Sequence, residues 1–130
     1  MSYPAEFLYT KDHEWVLVEA DRATIGVTDY AQKELGDVVF VELPRVGDSV
    51  TAAQPFGVVE SVKAVSDVFA PVSGSVEEVN SRLQDKPELV NSDPHGDGWL
   101  IRVRMTDPRG TEKLMAADAY ETYLRETQTR

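Results

Sequence analysis

The chain has 130 residues, 42% hydrophobic and 28% charged, the balance of a folded domain rather than a disordered one. A formal net charge of −10 leaves no basic stripe for phosphates or an anionic bilayer, which excludes nucleic acid and membrane surfaces as partners. With no cysteine there are no disulfides, thiolate nucleophiles or cysteine-based metal sites, so any thiol chemistry must arrive on an attached group. No apolar run is long enough to cross a bilayer, and Met1–Glu6 lacks a signal or transit pattern. A single domain over 1–130, monomeric and in a bacterial cytoplasm, is the expectation.

In chain order, short strands come first: Glu6–Tyr9, His13–Glu19 and, after a turn at Asp21-Arg22, Ala23–Val27. Asp29 is predicted to cap one short helix, with Gln32 reaching back to the cap and Gly36 closing it after Leu35. Asp37 to Leu43 returns to strand. Gly47-Asp48 and Ser73-Gly74 are turn signals, each followed by a short strand with alternating valine, in a weak two-fold relation about position 63. Asn80 to Val90 reads as a loop with a helical turn broken at Pro87, and Trp99–Met105 as a last strand. Asp107-Pro108 is predicted to open a helical tail over about 108–127, with a capping box at Asp118–Glu121 and an apolar stripe of Tyr120, Tyr123 and Leu124. Strands this short cannot bury a face alone. The expected fold is therefore mostly β, a flattened β-sandwich of two small sheets with small helical additions and a C-terminal helix.

The segment Glu60-Ser61-Val62-Lys63-Ala64-Val65-Ser66-Asp67 carries the chemistry. Val58 and Val59 lead in and Val68, Phe69 and Ala70 lead out, so Lys63 is predicted at the tip of a hairpin spanning about 56–70. A lysine there packs poorly but is open to modification, and small neighbours such as Ser61 and Ala64 give an enzyme access. Glu60 and Asp67 offer charge for recognition of the hairpin. Asp93, His95 and Asp97 alternate like loop ligands, but no closing glutamate follows and Pro94 stiffens the run, so a turn is expected and no metal. The residues alone leave three readings: a modified carrier, an interaction domain with an unmodified lysine turn, or a small hydrolase using Asp93, His95 or Ser66.

Val62 and Ala64 stand where biotin carriers place methionines, and the acidic residue that usually precedes the lysine in lipoyl domains of 2-oxo acid dehydrogenases is absent. Glu60-Ser61-Val62-Lys63-Ala64 instead resembles the H protein of the glycine cleavage system. His13-Glu14-Trp15, Ile25–Gln32, Leu35–Pro44 and Asn91–Trp99 are similar to further landmarks of that family, in the same order. The resemblance implies a barrel-sandwich hybrid of the lipoyl/biotinyl carrier type, with lipoate attached covalently to Lys63. It implies a non-catalytic shuttle that takes the aminomethyl group of glycine from glycine decarboxylase (P protein) to an aminomethyltransferase (T protein). Dihydrolipoamide dehydrogenase (L protein) then reoxidises the dithiol, and a lipoate ligase or lipoyl/octanoyl transferase attaches the arm. It further implies that the loaded arm folds into a cleft near His13-Glu14-Trp15, with Glu14 and Asp67 as acceptors for its amine.

Overall fold

In the computed structural model, which describes residues 3–107 and 109–128, the strands sort into two open antiparallel sheets that do not close into a barrel. The larger sheet contains β1 (Leu8–Tyr9), β2 (Glu14–Glu19), β3 (Arg22–Val27), β5 (Ser49–Val50), β8 (Gly74–Val79) and β9 (Ile101–Met105), in the order β1-β2-β3-β9-β8-β5. The smaller holds β4 (Val38–Glu42), β6 (Pro55–Ser61) and β7 (Val65–Phe69), in the order β4-β6-β7. The two short valine strands read on either side of position 63, β5 and β8, pair with each other. Among the described residues no helix is long and apolar enough to cross a membrane.

Alternation along the strands builds the core between the sheets. Val16, Ile25, Val76 and Val103 from the large sheet meet Val41, Val59 and Val68 from the small one, all buried. A second, aromatic cluster lies under α4 (Ala117–Gln128), where Phe7, Tyr9, Trp15, Tyr120 and Leu124 are buried together. Trp15 stacks on Phe7 with centroids 4.3 Å apart and donates its indole N–H to the Pro94 carbonyl at 2.9 Å. Its ring lies across Gly26, its cross-strand partner, where an added Cβ would come within 2.7 Å of the indole. The glycine is required by that close approach.

The helix ends differ from the sequence reading. In α1 (Asp29–Leu35) the cap is Thr28, not Asp29: Thr28 is extended (φ −78°, ψ 166°) and its hydroxyl accepts the Ala31 N–H at 3.2 Å. Asp29 is already helical, and Gln32 reaches back to its carboxylate at 3.0 Å rather than to a cap amide. Gly36 closes the helix as predicted, at φ +80°, a conformation that favours glycine. The loop before β9 holds two helical turns instead of one, α2 (Arg82–Asp85) and α3 (Leu89–Ser92), with Pro87 between them. Pro108 lies outside the described residues, and 109–114 form turns, so the tail helix starts only at Ala117. Asp118 therefore sits within the first turn, bonded to the adjacent Ala119 amide, and is not an N-cap. The stripe of Tyr120 and Leu124 does pack on the sandwich, with the Tyr120 ring stacked on Tyr9 at 4.7 Å.

Candidate functional site

Lys63 lies at the centre of the three-residue turn joining β6 to β7, with Val62, Lys63 and Ala64 all exposed. Three bonds shape that turn. Ser61 donates its amide to the Ala64 carbonyl at 2.8 Å, and the Ser61 hydroxyl accepts the Lys63 and Ala64 amides at 3.3 and 3.1 Å. A small hydroxyl at 61 thus does by hydrogen bonding what a glycine often does by conformational freedom. The tip is fastened to the rest of the molecule by the Val62 N–H, which donates to the Asp37 carbonyl at 3.0 Å. Asn91 holds the same stretch from behind. It donates to Gln32 Oε1 at 3.0 Å and to the Gly36 carbonyl at 2.8 Å, and it accepts from the Val38 amide at 2.8 Å. The Asn91–Trp99 turn therefore supports the α1–β4 corner on which the hairpin rests.

The stem of Lys63 runs over that corner: a methyl at Gly36 would lie 3.4 Å from Cε of Lys63. Beside it opens a groove of about 430 Å³. One wall is α1, through Tyr30, Ala31, Glu34 and Leu35, and the other is Ala64 of the turn with β7 from Val65 to Val68. Val27, Val59 and Val68 add apolar lining, and Asp12, His13 and Glu14 complete it. Both acids singled out as acceptors, Glu14 and Asp67, line this one groove. Glu60 does not: it is half-buried on β6, opposite Phe40 on β4 and Val65 on β7.

The groove exists because β7 is an edge strand. The Ser61–Ala64 bond sets the alternation of the antiparallel pair, and Ala70 continues it by donating to the Gln54 carbonyl at 2.9 Å. The main-chain groups of Val65, Asp67 and Phe69 consequently point to the open edge. Glu14 takes the last of them, accepting the Phe69 N–H at 3.2 Å on one oxygen and the Thr10 hydroxyl at 2.6 Å on the other. His13, at φ +70°, provides the sharp corner before β2. Glu14 is only 3% exposed, so its carboxyl is not solvated. Burial raises its pKa to about 7, against the opposing pull of the Thr10 and Phe69 hydrogen bonds.

The other candidates have different work. His95 accepts the Asp29 amide on Nε2 at 3.1 Å, and Asp93 accepts the Asp97 amide at 2.8 Å. His13 Nδ1 meets the Tyr120 hydroxyl at 2.8 Å, which also lies 2.8 Å from the Thr28 hydroxyl. Among the described residues neither histidine is hydrogen-bonded to a serine, and Ser66 Oγ instead donates weakly to the Asp67 carbonyl at 3.4 Å. Nothing in these contacts assembles the nucleophile–base pair a hydrolase requires. The roles of Thr10 and Phe69 as partners of Glu14 escaped the sequence reading. Only Thr10 had a usable signal, a hydroxyl four residues before a motif glutamate.

The glycine cleavage H-protein family model matches residues 7–127. The chain belongs to the glycine cleavage H-protein family. It is 54% identical over 125 residues to the glycine cleavage system H protein of Rubrobacter xylanophilus, covering 96% of this chain and 97% of that one. The H protein of Halothermothrix orenii is 52% identical over 128 residues, with 98% and 100% covered. A crystal structure of the H protein from Mycobacterium marinum superposes with a TM-score of 0.86 at 40% identity, covering 93% of this chain and 98% of that one. Membership gives this H-protein family chain a role in the glycine cleavage system, and the likeness in fold extends over both sheets and the C-terminal helix.

The raised pKa of Glu14 has a thermodynamic consequence. The folded state holds the proton more tightly than the unfolded chain does, so ionising Glu14 erodes stability as pH rises from about 4.5 to about 7. Glu14→Gln removes the charge and keeps one acceptor for the Phe69 N–H, while its amide N–H faces the Thr10 hydroxyl as a donor. The expected outcome is a variant whose melting temperature gains on the wild type between pH 5 and pH 8; parallel pH profiles would mean that Glu14 ionises normally.

Proposed function

We propose that this chain is a lipoylated shuttle, with lipoate joined by an amide to Lys63 and the loaded arm accommodated in the adjacent groove. The observation that carries the reading is the juxtaposition of an exposed lysine at the end of a tight turn with an apolar groove that also holds a buried carboxylate. The fit to the group is direct. Val27, Ala31, Leu35, Val59 and Val68 suit an alkyl chain and its sulfur-bearing end, and Glu14 and Asp67 suit a cationic amine.

Bound there, lipoate would supply a disulfide that is reduced as it takes the aminomethyl group at glycine decarboxylase, leaving a dithiol for dihydrolipoamide dehydrogenase to reoxidise once the aminomethyltransferase has removed the one-carbon unit. The protein's part is non-catalytic: it tethers, shelters and presents. Ser61 and the Val62–Asp37 bond hold the turn that carries the lysine, whose stem passes over Gly36. Glu14, ionised when a cation faces it, becomes the acceptor at one end of the groove, with Asp67 the second. A cation in the groove lowers the pKa of Glu14, so holding the amine and charging the carboxylate are coupled. Glu60, on the strand entering the turn, is read by the enzyme that attaches the arm. The proposed setting is a bacterial cytoplasm, with the chain as a monomer and docking to each enzyme weak and brief.

Intact-mass spectrometry of protein from lipoate-replete cells tests the attachment. One lipoyl increment, lost in Lys63→Arg, is expected; an unmodified wild type would instead favour a plain interaction domain. Glu14→Ala is expected to accept lipoate normally yet release its aminomethyl cargo to water several-fold faster. Equal hydrolysis rates would remove Glu14 from the sheltering role. Glu60→Lys is expected to slow attachment while leaving the melting temperature within a degree or two, since it changes one half-buried side chain on an outer sheet face; unaltered attachment kinetics would take Glu60 out of recognition.

A further inference from the structure

Apolar side chains left in water are concentrated at one place on this molecule. Among the described residues five large hydrophobics are markedly exposed: Val39 (49%), Phe40 (53%), Val46 (62%), Val62 (70%) and Val65 (68%). Four of these surround Lys63. Phe40 on β4 and Val65 on β7 flank Glu60 on β6 in register across the small sheet. Val62 precedes the lysine in the turn, and its amide is held against Asp37 at the start of β4. Val39 joins them because the β4–β6 register shifts between Val38 and Phe40, and that bulge leaves two successive side chains exposed. Only Val46 lies elsewhere, beyond the far end of β4.

The carboxylates bordering this patch are left without ion pairs among the described residues, unlike Asp21, Glu77 and Glu78 on the large sheet. On the large sheet Asp21, Glu77 and Glu78 are paired with Arg22, Arg102 and Arg104. By contrast Asp37, Glu42, Glu60 and Asp67, which border the exposed valines and Phe40, form no ion pair among the described residues. An apolar centre inside an acidic border, with a lysine projecting from it, is the complement of an apolar depression ringed by arginine and lysine.

We propose that this face, centred on Val39, Phe40, Val62 and Val65, is the docking surface of the enzyme that acylates Lys63, which presents an apolar socket with a basic rim. The inference rests on Lys63 being the attachment point. The chemistry selects this partner. The deprotonated Nζ must attack the carbonyl carbon of an acid activated as an acyl–phosphate anhydride. The C–N bond forms, the phosphate oxygen leaves with the electron pair of the broken C–O bond, and the ammonium proton passes to solvent. An enzyme doing this must bring its active site onto Nζ itself and so cover the residues around the turn. Enzymes that handle the far end of the arm need not. Phe40 is the anchor, as the one aromatic of the patch.

The test uses unmodified whole protein, a lipoate ligase supplied with lipoate and ATP, and intact mass as the readout of initial rates. Phe40→Ser and Val62→Ser are each expected to raise the KM for the protein substrate about fivefold or more, with kcat within about twofold. Val46→Ser is expected to behave as wild type, and raising salt from about 50 to about 500 mM is expected to raise the wild-type KM as the rim is screened. Thermal melts establish that each variant is folded, and either of the two folded variants suffices. An unchanged KM, or a fall in kcat alone, would overturn the docking surface while leaving the carrier reading intact. A wild type that gains no lipoyl mass at Lys63 would instead overturn the carrier reading.

Discussion

A buried carboxylate meeting a main-chain amide holds the site of this protein together. Glu14 stands at the start of β2 in the large sheet and accepts the Phe69 amide from the open edge of β7 in the small one. That bond crosses between the sheets where no strand pairing does. It satisfies a polar group that the edge of a sheet would otherwise leave to water or to another chain. The groove between β7 and α1 is lined at this end by Glu14. The cost is a carboxyl taken out of water, visible in its displaced pKa.

The surrounding parts all position this contact. His13 turns the chain in the left-handed region, which brings Glu14 inward, and Tyr120 from α4 reaches the His13 ring. The same hydroxyl meets Thr28, the cap of α1, so the C-terminal helix braces α1 and the His13 corner at one point. At the other end Asn91 makes three bonds to the α1–β4 corner, over which the Lys63 stem passes. Rigid support at both ends of a groove suits a role in which the only large motion belongs to a tethered arm.

The surface divides in the same way. The outer face of the large sheet carries charges that neutralise one another, a pattern that keeps a sheet soluble and unattractive to partners. The small sheet leaves its acids unpaired and its valines and phenylalanine exposed around the lysine. The lysine turn and its exposed apolar side chains thus belong to the three-stranded sheet, while the six-stranded sheet contributes Glu14 and the frame.

Much of this was legible before folding was considered. Valines at alternate positions on either side of a small polar turn locate the Lys63 hairpin, because strand periodicity and turn chemistry are local properties. The motif run from His13 to Trp99 carries the family by itself. Helix ends were legible only in part: Gly36 was, but Thr28 outcompeted Asp29 as cap, and Thr28 is also fixed by a tyrosine 92 positions away. The face presented by Val38-Val39-Phe40-Val41 could not be read at all, since four apolar residues in a row have no alternation and a bulge decides which are exposed. The burial of Glu14 was equally hidden. Its environment is set by Thr10 and by Phe69, which is 55 positions distant, and desolvation is a property of what surrounds a group rather than of the group. Sequence alone determined which lysine is offered and on what kind of turn; the packing of two sheets decided what lies beside it, because only distant residues brought together can make a groove.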